Sequence, residues 1–559
     1  MDRKTIALVV ICVAVLVFWG QITEYLGIVK PAPEQPPITV IPDTTDYQSR
    51  TQPQTQPPTQ PEIEQSMPGT TIVQSIDSPI PEQLITVRTP LYTLGFTNYG
   101  GGLNKITLNE YTYHDGGNVI LAESSDKVVP DFEDASGGFV TSRLAFTSNS
   151  IDFEIGAGDS PRKITYVYNH PNGGRITKTY TINADSYDIG FDITIEGIES
   201  FGFERDYNLV WGIAIPPTES NLEDDYSYYN AVTMMDEKYE FSDFDNGRMK
   251  EIQPGAADWG GMRTKYFATV MIPKSRQTDG FEAHGTEREQ RIGDDNIDVR
   301  EITTKLTMQI PSSGSISDSF TLFAGPLDYQ MLKKYNIGLE ELNSMGWIII
   351  KPFSIGIIWL LPKIYSVLPN YGMVVLIFAL LIKIITFPLS RKQAAAMAKL
   401  KDVQPKMKAL QEKHKNDAGR LNKEMMKLYK EAGANPLSGC LPMLPQMPLF
   451  FALFIVFKTT IEFRGASFLG WITDLSVPDP LYVLPIIMMV SMFVQQKMTM
   501  TDPKNKMMVY MMPLIFGWLF MNFPAGLVLY WTGFNILSFV ETMYVRKQME
   551  QKNPQVKDA

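Results

Sequence analysis

The chain has 559 residues, with 50 Lys+Arg against 61 Asp+Glu and a formal net charge of -11 at pH 7. Two cysteines (Cys12, Cys440) and four histidines (His114, His170, His284, His414) exclude a disulfide framework, a thiolate metal site and HExxH-type chemistry. A mean hydropathy of -0.09 is too polar for a chain lying wholly in lipid, and the charge is split: residues 30–345 hold 24 Lys+Arg and 47 Asp+Glu, the remainder 26 and 14.

Residues 6–20 form an apolar stretch behind Arg3 and Lys4. No small-x-small cleavage site follows, so residues 1–30 are expected to be an uncleaved transmembrane anchor with its N-terminus in the cytoplasm. Residues 31–81, rich in Pro, Gln and Thr, are too poor in large apolar side chains to bury a core and read as a disordered linker. From 82 to 342 the period becomes two. Tyr187, Ile189, Phe191, Ile193 and Ile195 alternate with polar neighbours, as do Ile302, Thr304, Leu306, Met308 and Ile310. With Asn-Gly, Gly-Gly and Asp-Gly turns between such runs, an all-β sandwich is expected. A short helix around Asp328 to Leu342 closes that region.

Residues 343–370 contain KPFSIGIIWLLPKIYSVL, whose Pro352, Pro362, Lys351 and Lys363 suit a helix lying in the membrane interface rather than a span. Five apolar runs follow, near 371–389, 441–457, 481–496, 507–523 and 525–544, three of them a little short for a bilayer. The segment from Arg391 to Pro436 has 12 Lys+Arg and 5 Asp+Glu, whereas the loop from Thr459 to Pro480 has Arg464 against Glu462, Asp474 and Asp479. The positive-inside rule puts the first in the cytoplasm and the second across the membrane. The expected fold is therefore an α-helical membrane protein of six transmembrane helices with both termini inside, plus a large β domain outside.

Within 391–434, Leu400, Val403, Met407 and Leu410 recur at three and four, as do Leu421, Met425 and Leu428, with a turn between His414 and Gly419. This spacing predicts a cytoplasmic helical hairpin. Residues 548–559 form a short tail, modestly basic when Arg546 and Lys547 are counted with it.

Lys383 stands inside the run YGMVVLIFALLIKIITFPL, roughly 9 Å of helix from its cytoplasmic end. Its bland role is snorkelling to nearby headgroups; its functional role is a cation kept at membrane depth for a purpose. Polar residues at comparable depth are Gln446, Ser491, Gln495, Asn522, Thr532 and Asn535. Each taken singly is interhelical glue; together with a cation they point to a wet cavity. Pro442, Pro445 and Pro448 would loosen the third span.

The hairpin, the run NPLSGCLPMLPQMPLFFALF, the segment from Val477 through LYVLPIIMMVSMFVQQKM and the motif FPAGLVLYW occur in an order that resembles the YidC/Oxa/Alb family of membrane protein insertases. The anchor and large β domain resemble its Gram-negative branch, whose periplasmic domain is a β-supersandwich similar to sugar mutarotases. The resemblance implies residence in the bacterial inner membrane and a five-helix core at 371–547. That core would enclose a hydrophilic groove open to the cytoplasm and to lipid. Lys383 takes the place of the family's groove cation, with lysine where arginine is commonly found, so bidentate carboxylate recognition gives way to a point charge. The implied groove residues are Lys383, Gln446, Ser491, Gln495, Thr532 and Asn535, with Tyr530 and Trp531 on the client-sliding surface or in packing. The implied partners are nascent membrane proteins, the Sec translocon, the lipid bilayer, and a ribosome and targeting receptor at the hairpin. No cofactor, metal, nucleic acid or catalytic residue is expected.

Two rivals remain in view. A transporter would want carboxylates at depth, yet the five core runs contain Glu541 alone. A tethered periplasmic carbohydrate-binding or mutarotase-like module would need a positioned acid and base, for which His114, His170 and His284 are the candidates.

Overall fold

The computed structural model describes residues 81–203, 205–292, 295–310, 314–414, 417–431, 443–499 and 506–552. The expected anchor at 1–30 and linker at 31–80 lie outside the described residues.

The period-two segments become strands. Asp188–Glu196 buries Ile189, Phe191, Ile193 and Ile195 on one face and turns its polar residues outward. That is the pleat's alternation read directly from sequence. It sits in an eight-stranded antiparallel sheet running Lys238–Ser242, Asn230–Met235, Ala257–Arg263, Phe267–Pro273, Ser315–Pro326, Asp188–Glu196, Arg175–Ile182, Arg162–Asn169. A five-stranded sheet is built round Gly280–Ile292 and Asp295–Gln309, the second of which buries Ile302, Thr304, Leu306 and Met308. Ile310 lies just past that strand and is half-buried. Another five-stranded sheet is built round Tyr92–Thr97 and Gly102–Thr112. It departs from a purely antiparallel sandwich at one edge, where Leu84–Arg88 pairs in parallel with Phe153–Glu154. The sheets share one core that includes Trp211, Trp259, Tyr180 and Phe132.

Among the described residues, seven helices of ten residues or more follow, labelled here in chain order: α1 (Lys351–Tyr365), α2 (Tyr371–Lys413), α3 (Ala418–Glu431), α4 (Met443–Thr459), α5 (Val483–Thr499), α6 (Lys506–Phe520) and α7 (Ala525–Lys552). α1 buries Ser354, Ile357, Ile358 and Leu361, a three-and-four spacing, while Phe353 and Trp359 stay exposed and Lys363 lies over the Trp359 ring at 3.3 Å. A helix with one buried stripe and an aromatic, cationic outer face suits a membrane surface.

α2 differs from the expected division at Arg391. Its 43 residues continue without a break through Pro388 and Pro405 into the first arm of the hairpin, a rod of roughly 65 Å. Among the described residues, Tyr371–Arg391 is the helix long and apolar enough to cross a membrane by itself; Gln446–Thr459, Val483–Met498 and Val509–Phe520 are apolar but shorter. A second core, including Val374, Val375, Phe378, Leu453, Met488 and Leu527, joins α1, α2, α4, α5 and α7.

The two cores interlock. Ile461, from the loop after α4, packs in the β-domain core, and Tyr329 and Met345, from the end of the β domain, pack in the helical one. Around that seam, Arg464 donates to Glu219 at 2.7 Å and to the Thr112 carbonyl at 2.8 Å, and Asp224 accepts from both Lys265 and Lys458 at 2.8 Å. Burial alone raises the Asp224 carboxyl, but its two lysines win and hold it below the usual carboxylate range. Beside them, burial chiefly, with Asp328 adding, pushes the Glu462 carboxyl up to about 7.

Candidate functional site

α2 starts where Asn370 Oδ1 accepts the Met373 amide at 2.9 Å, an N-cap that fixes the first turn. Gly372 lets the helix approach the loop that follows α4: a Cβ there would stand 2.0 Å from the Phe468 ring. From that anchored end the apolar run carries Lys383 about 18 Å along the axis.

α7 packs along α2 in parallel. Tyr530 meets Phe378, Gly533 faces Leu376, and Phe387 meets Tyr544. The positions of α7 turned to α2 are Tyr530, Phe534, Glu541 and Tyr544, a spacing of four, seven and three that keeps them on one face. Glu541 therefore arrives beside Lys383. Its Oε2 accepts from Lys383 Nζ at 2.6 Å, with the two side chains 10% and 12% exposed, and the ammonium also lies 4.4 Å from the centre of the Phe534 ring. Glu541, the one carboxylate of the five core runs, thus pairs with the cation itself.

The other expected groove residues divide. Ser491 Oγ donates to the Met488 carbonyl at 2.7 Å and Thr532 Oγ1 to the Val528 carbonyl at 2.8 Å. Both hydroxyls are thus bonded within their own helices, a common state for Ser and Thr in apolar helices. Asn535 is 9% exposed and its Nδ2 has no protein partner, nor has the buried Nε1 of Trp531 or Oε1 of Glu541. Gln446 in α4 and Gln495 in α5 are half-buried. Tyr530 is 1% exposed and packed between Phe378 and Phe534, so its ring belongs to the core rather than to a surface. Trp531 is half-buried among Phe450, Phe520 and Phe534. Large apolar side chains left uncovered lie on several helices, among them Ile384 and Ile385 on α2, Val490 on α5, Leu514 and Trp518 on α6, and Ile536 and Val540 on α7.

In the hairpin, α2 and α3 contact one another; Val403 is buried, and Met407, Leu410, Leu421, Met425 and Leu428 are half-buried. Leu400 is helical, but its side chain lies outside the described set, as do Pro442 and the whole of 432–442.

Among the described residues of the β domain, the candidate histidines are not brought together. His170 Nδ1 accepts the Asn172 amide in its own turn and His284 faces Glu282 at 3.5 Å on one strand; among the described residues no two histidines bond to each other. A cavity of about 960 Å³ is lined by Asn221, Glu223, Tyr226, Glu287, Asp298 and Arg300, but Arg300 is tied to Glu287, Asp243 and the Tyr226 carbonyl. Among the described residues, no group of His, Cys, Asp and Glu is placed to hold a metal ion.

A large β domain docked on apolar helices, one of them long enough to cross a bilayer, defines a class: a membrane protein with a folded β domain attached to its helical part. Residues 363–552 match the family model of the 60Kd inner membrane protein and residues 84–356 that of the YidC periplasmic domain. Proteins called membrane protein insertase YidC are similar along most of the chain. That of Prosthecochloris aestuarii is 34% identical over 492 residues, 83% of each chain, and that of Syntrophus aciditrophicus 31% identical over 567 residues, 98% of this chain and all of that one. That of Cupriavidus metallidurans is 35% identical over 499 residues, 86% of each. The chain belongs to the YidC family of membrane protein insertases. Among solved structures, an active YidC insertase with its first transmembrane domain resolved overlays with a TM-score of 0.37 at 19% identity, covering 83% of this chain and 95% of that one. A putative aldose 1-epimerase of Escherichia coli K12 overlays at 0.26 and 9% identity over 44% of this chain. Such low scores add nothing to the assignment, which rests on the sequence relatives.

Proposed function

We propose that this protein inserts nascent inner-membrane proteins by receiving their polar translocated segments in a hydrated pocket around Lys383, in the cytoplasmic half of the bilayer. The observation that carries this reading is local. Three buried polar atoms on α7, on Trp531, Asn535 and Glu541, lack protein partners within a stretch of helix that also holds the Lys383 ion pair. Lipid tails cannot satisfy such atoms, and leaving them bare is costly, so the chemistry favours water there.

A wet pocket shortens the apolar barrier a polar segment must cross, and no covalent step or nucleotide is needed. Burial of the client's own span supplies about 25 cal/mol per Å². The membrane potential adds about 2.3 kcal/mol per acidic charge moved through 100 mV. The exposed apolar side chains of α5 and α6 give the client span a surface to slide along into lipid. The arrangement proposed is of six spans with both termini cytoplasmic, acting alone or with the Sec translocon. The basic 391–434 hairpin offers first contact to ribosome, targeting receptor or client.

Photo-crosslinkers on the pocket-facing parts of α2 and α4 test this by capturing a stalled nascent chain; absence of capture there, with capture elsewhere, contradicts it. Deleting residues 83–326 while keeping residues 1–30 leaves insertion in place if the helical core is the engine, and abolishes it if the β domain is.

A further inference from the structure

Lys383 is not a free charge waiting for a client. Its ammonium already bonds a carboxylate at 2.6 Å, and the two side chains are almost equally buried. The pair is nevertheless incomplete on the acid's side: Glu541 Oε1 is buried and without a partner. A carboxylate with one satisfied oxygen is held less firmly than one saturated by several donors. The Phe534 ring, 4.4 Å from the ammonium, also supports the cation and does not depend on the carboxylate.

We infer that Glu541 is an internal competitor for Lys383, so that it, and not the lysine alone, sets which acidic clients are accepted. This deepens the proposed function and rests on it. A client carboxylate gains Lys383 only by exchange: one ion pair forms as another opens, and the released Glu541 turns its charge to water in the pocket. The net attraction for an acidic residue is then the difference between two similar pairs rather than the full pull of a buried cation. The consequence is discrimination by number and position of acidic residues, with one carboxylate scarcely favoured over none and two favoured over one. Without the competitor, Lys383 would hold the first carboxylate it met and release it slowly.

The test uses the full chain reconstituted in vesicles of phosphatidylethanolamine and phosphatidylglycerol. Two single-span clients share one apolar segment and differ by zero or one aspartate in the translocated stretch. The readout is the ratio of acidic to neutral client inserted. Glu541→Gln should raise that ratio about threefold or more over wild type, and Glu541→Asp, which keeps the charge but shortens the reach, should fall between. If Glu541→Gln fails to accumulate in the membrane, the Asp variant alone decides by the same direction. Adding Lys383→Gln to Glu541→Gln should bring the ratio to that of Lys383→Gln alone. An unchanged or lowered ratio in both Glu541 variants, with Lys383→Gln still abolishing the preference, overturns the competitor and leaves the pocket standing. A raised ratio in Glu541→Gln that persists unchanged when Lys383→Gln is added overturns the pocket itself.

Discussion

Two buried lysines, one in each half of the molecule, show how differently a fold can keep a cation. Lys178 in the β domain is fully buried and donates at 2.8 Å to both the Gly100 carbonyl and Thr141 Oγ1, neutral acceptors supplied by neighbouring strands and turns. Burial pushes its pKa down to about 8, against a smaller upward pull from Asp131. Lys383 in the helical core is matched by a full opposite charge, in company with polar atoms that no protein group satisfies. Lys178 has its bonds closed by protein groups, as suits a structural element. The helical core has left its own open, as a site that exchanges partners requires.

The sharpest way to break this comparison is at Lys383. Lys383→Glu sets two carboxylates together, and insertion of acid-bearing clients should fall at least about tenfold, with loss of several kcal/mol of stability where the pair stood. Lys383→Arg keeps the charge and should retain most activity; equal activity of both variants in a client-insertion assay contradicts the electrostatic account. At Lys178 the outcome should separate stability from function. Lys178→Met leaves two buried acceptors without a donor and should cost about 2–4 kcal/mol, seen as a lower unfolding midpoint of the β domain, with client insertion unaffected.

The seam between the halves comes next. Arg464→Ala strands Glu219 and two β-domain carbonyls, and should cost about 2–3 kcal/mol. Limited proteolysis should then release the β domain sooner. The smallest effect is at Glu462, whose carboxyl rises from 4.5 to about 7 in the folded chain. The folded state binds the extra proton between those values, so stability should decline as pH rises from about 4.5 to 7 and level off above. Glu462→Gln should flatten that part of the unfolding profile, and an unchanged profile would sink the assignment of the slope to this residue.

Much of this was legible in the residues. The alternation at Ile189, Phe191, Ile193 and Ile195 gave both the strand and its buried face, because a two-residue period leaves one solution once a core exists. Lys383 was conspicuous because charge in an apolar run is costly. Its partner was harder to see: Glu541 is 158 positions away and sits near basic residues that could equally have claimed it. Depth held the signal. Counted from the outer starts of their helices, Lys383 and Glu541 lie about 18 and 24 Å along, a difference a lysine stem can span. Tyr530 stayed open between packing and a client-facing surface, because an aromatic within a span looks alike whether it faces lipid or the neighbouring helix; its burial places it in packing. The long α2 hid behind Pro388, which reads as a stop but is tolerated where the helix has other support. The seam salt bridges joined segments some 245 positions apart and had no local signature at all.

The central claim is that water from the cell interior reaches the surroundings of Lys383. With Cys12 and Cys440 replaced by serine, a single cysteine at Asn535 in sealed inverted vesicles should react with a charged, membrane-impermeant thiol reagent added on the cytoplasmic face. It should be protected when a stalled acid-bearing client is bound. A cysteine there that stays unlabelled from that face, in a chain that is folded and inserted, contradicts the account.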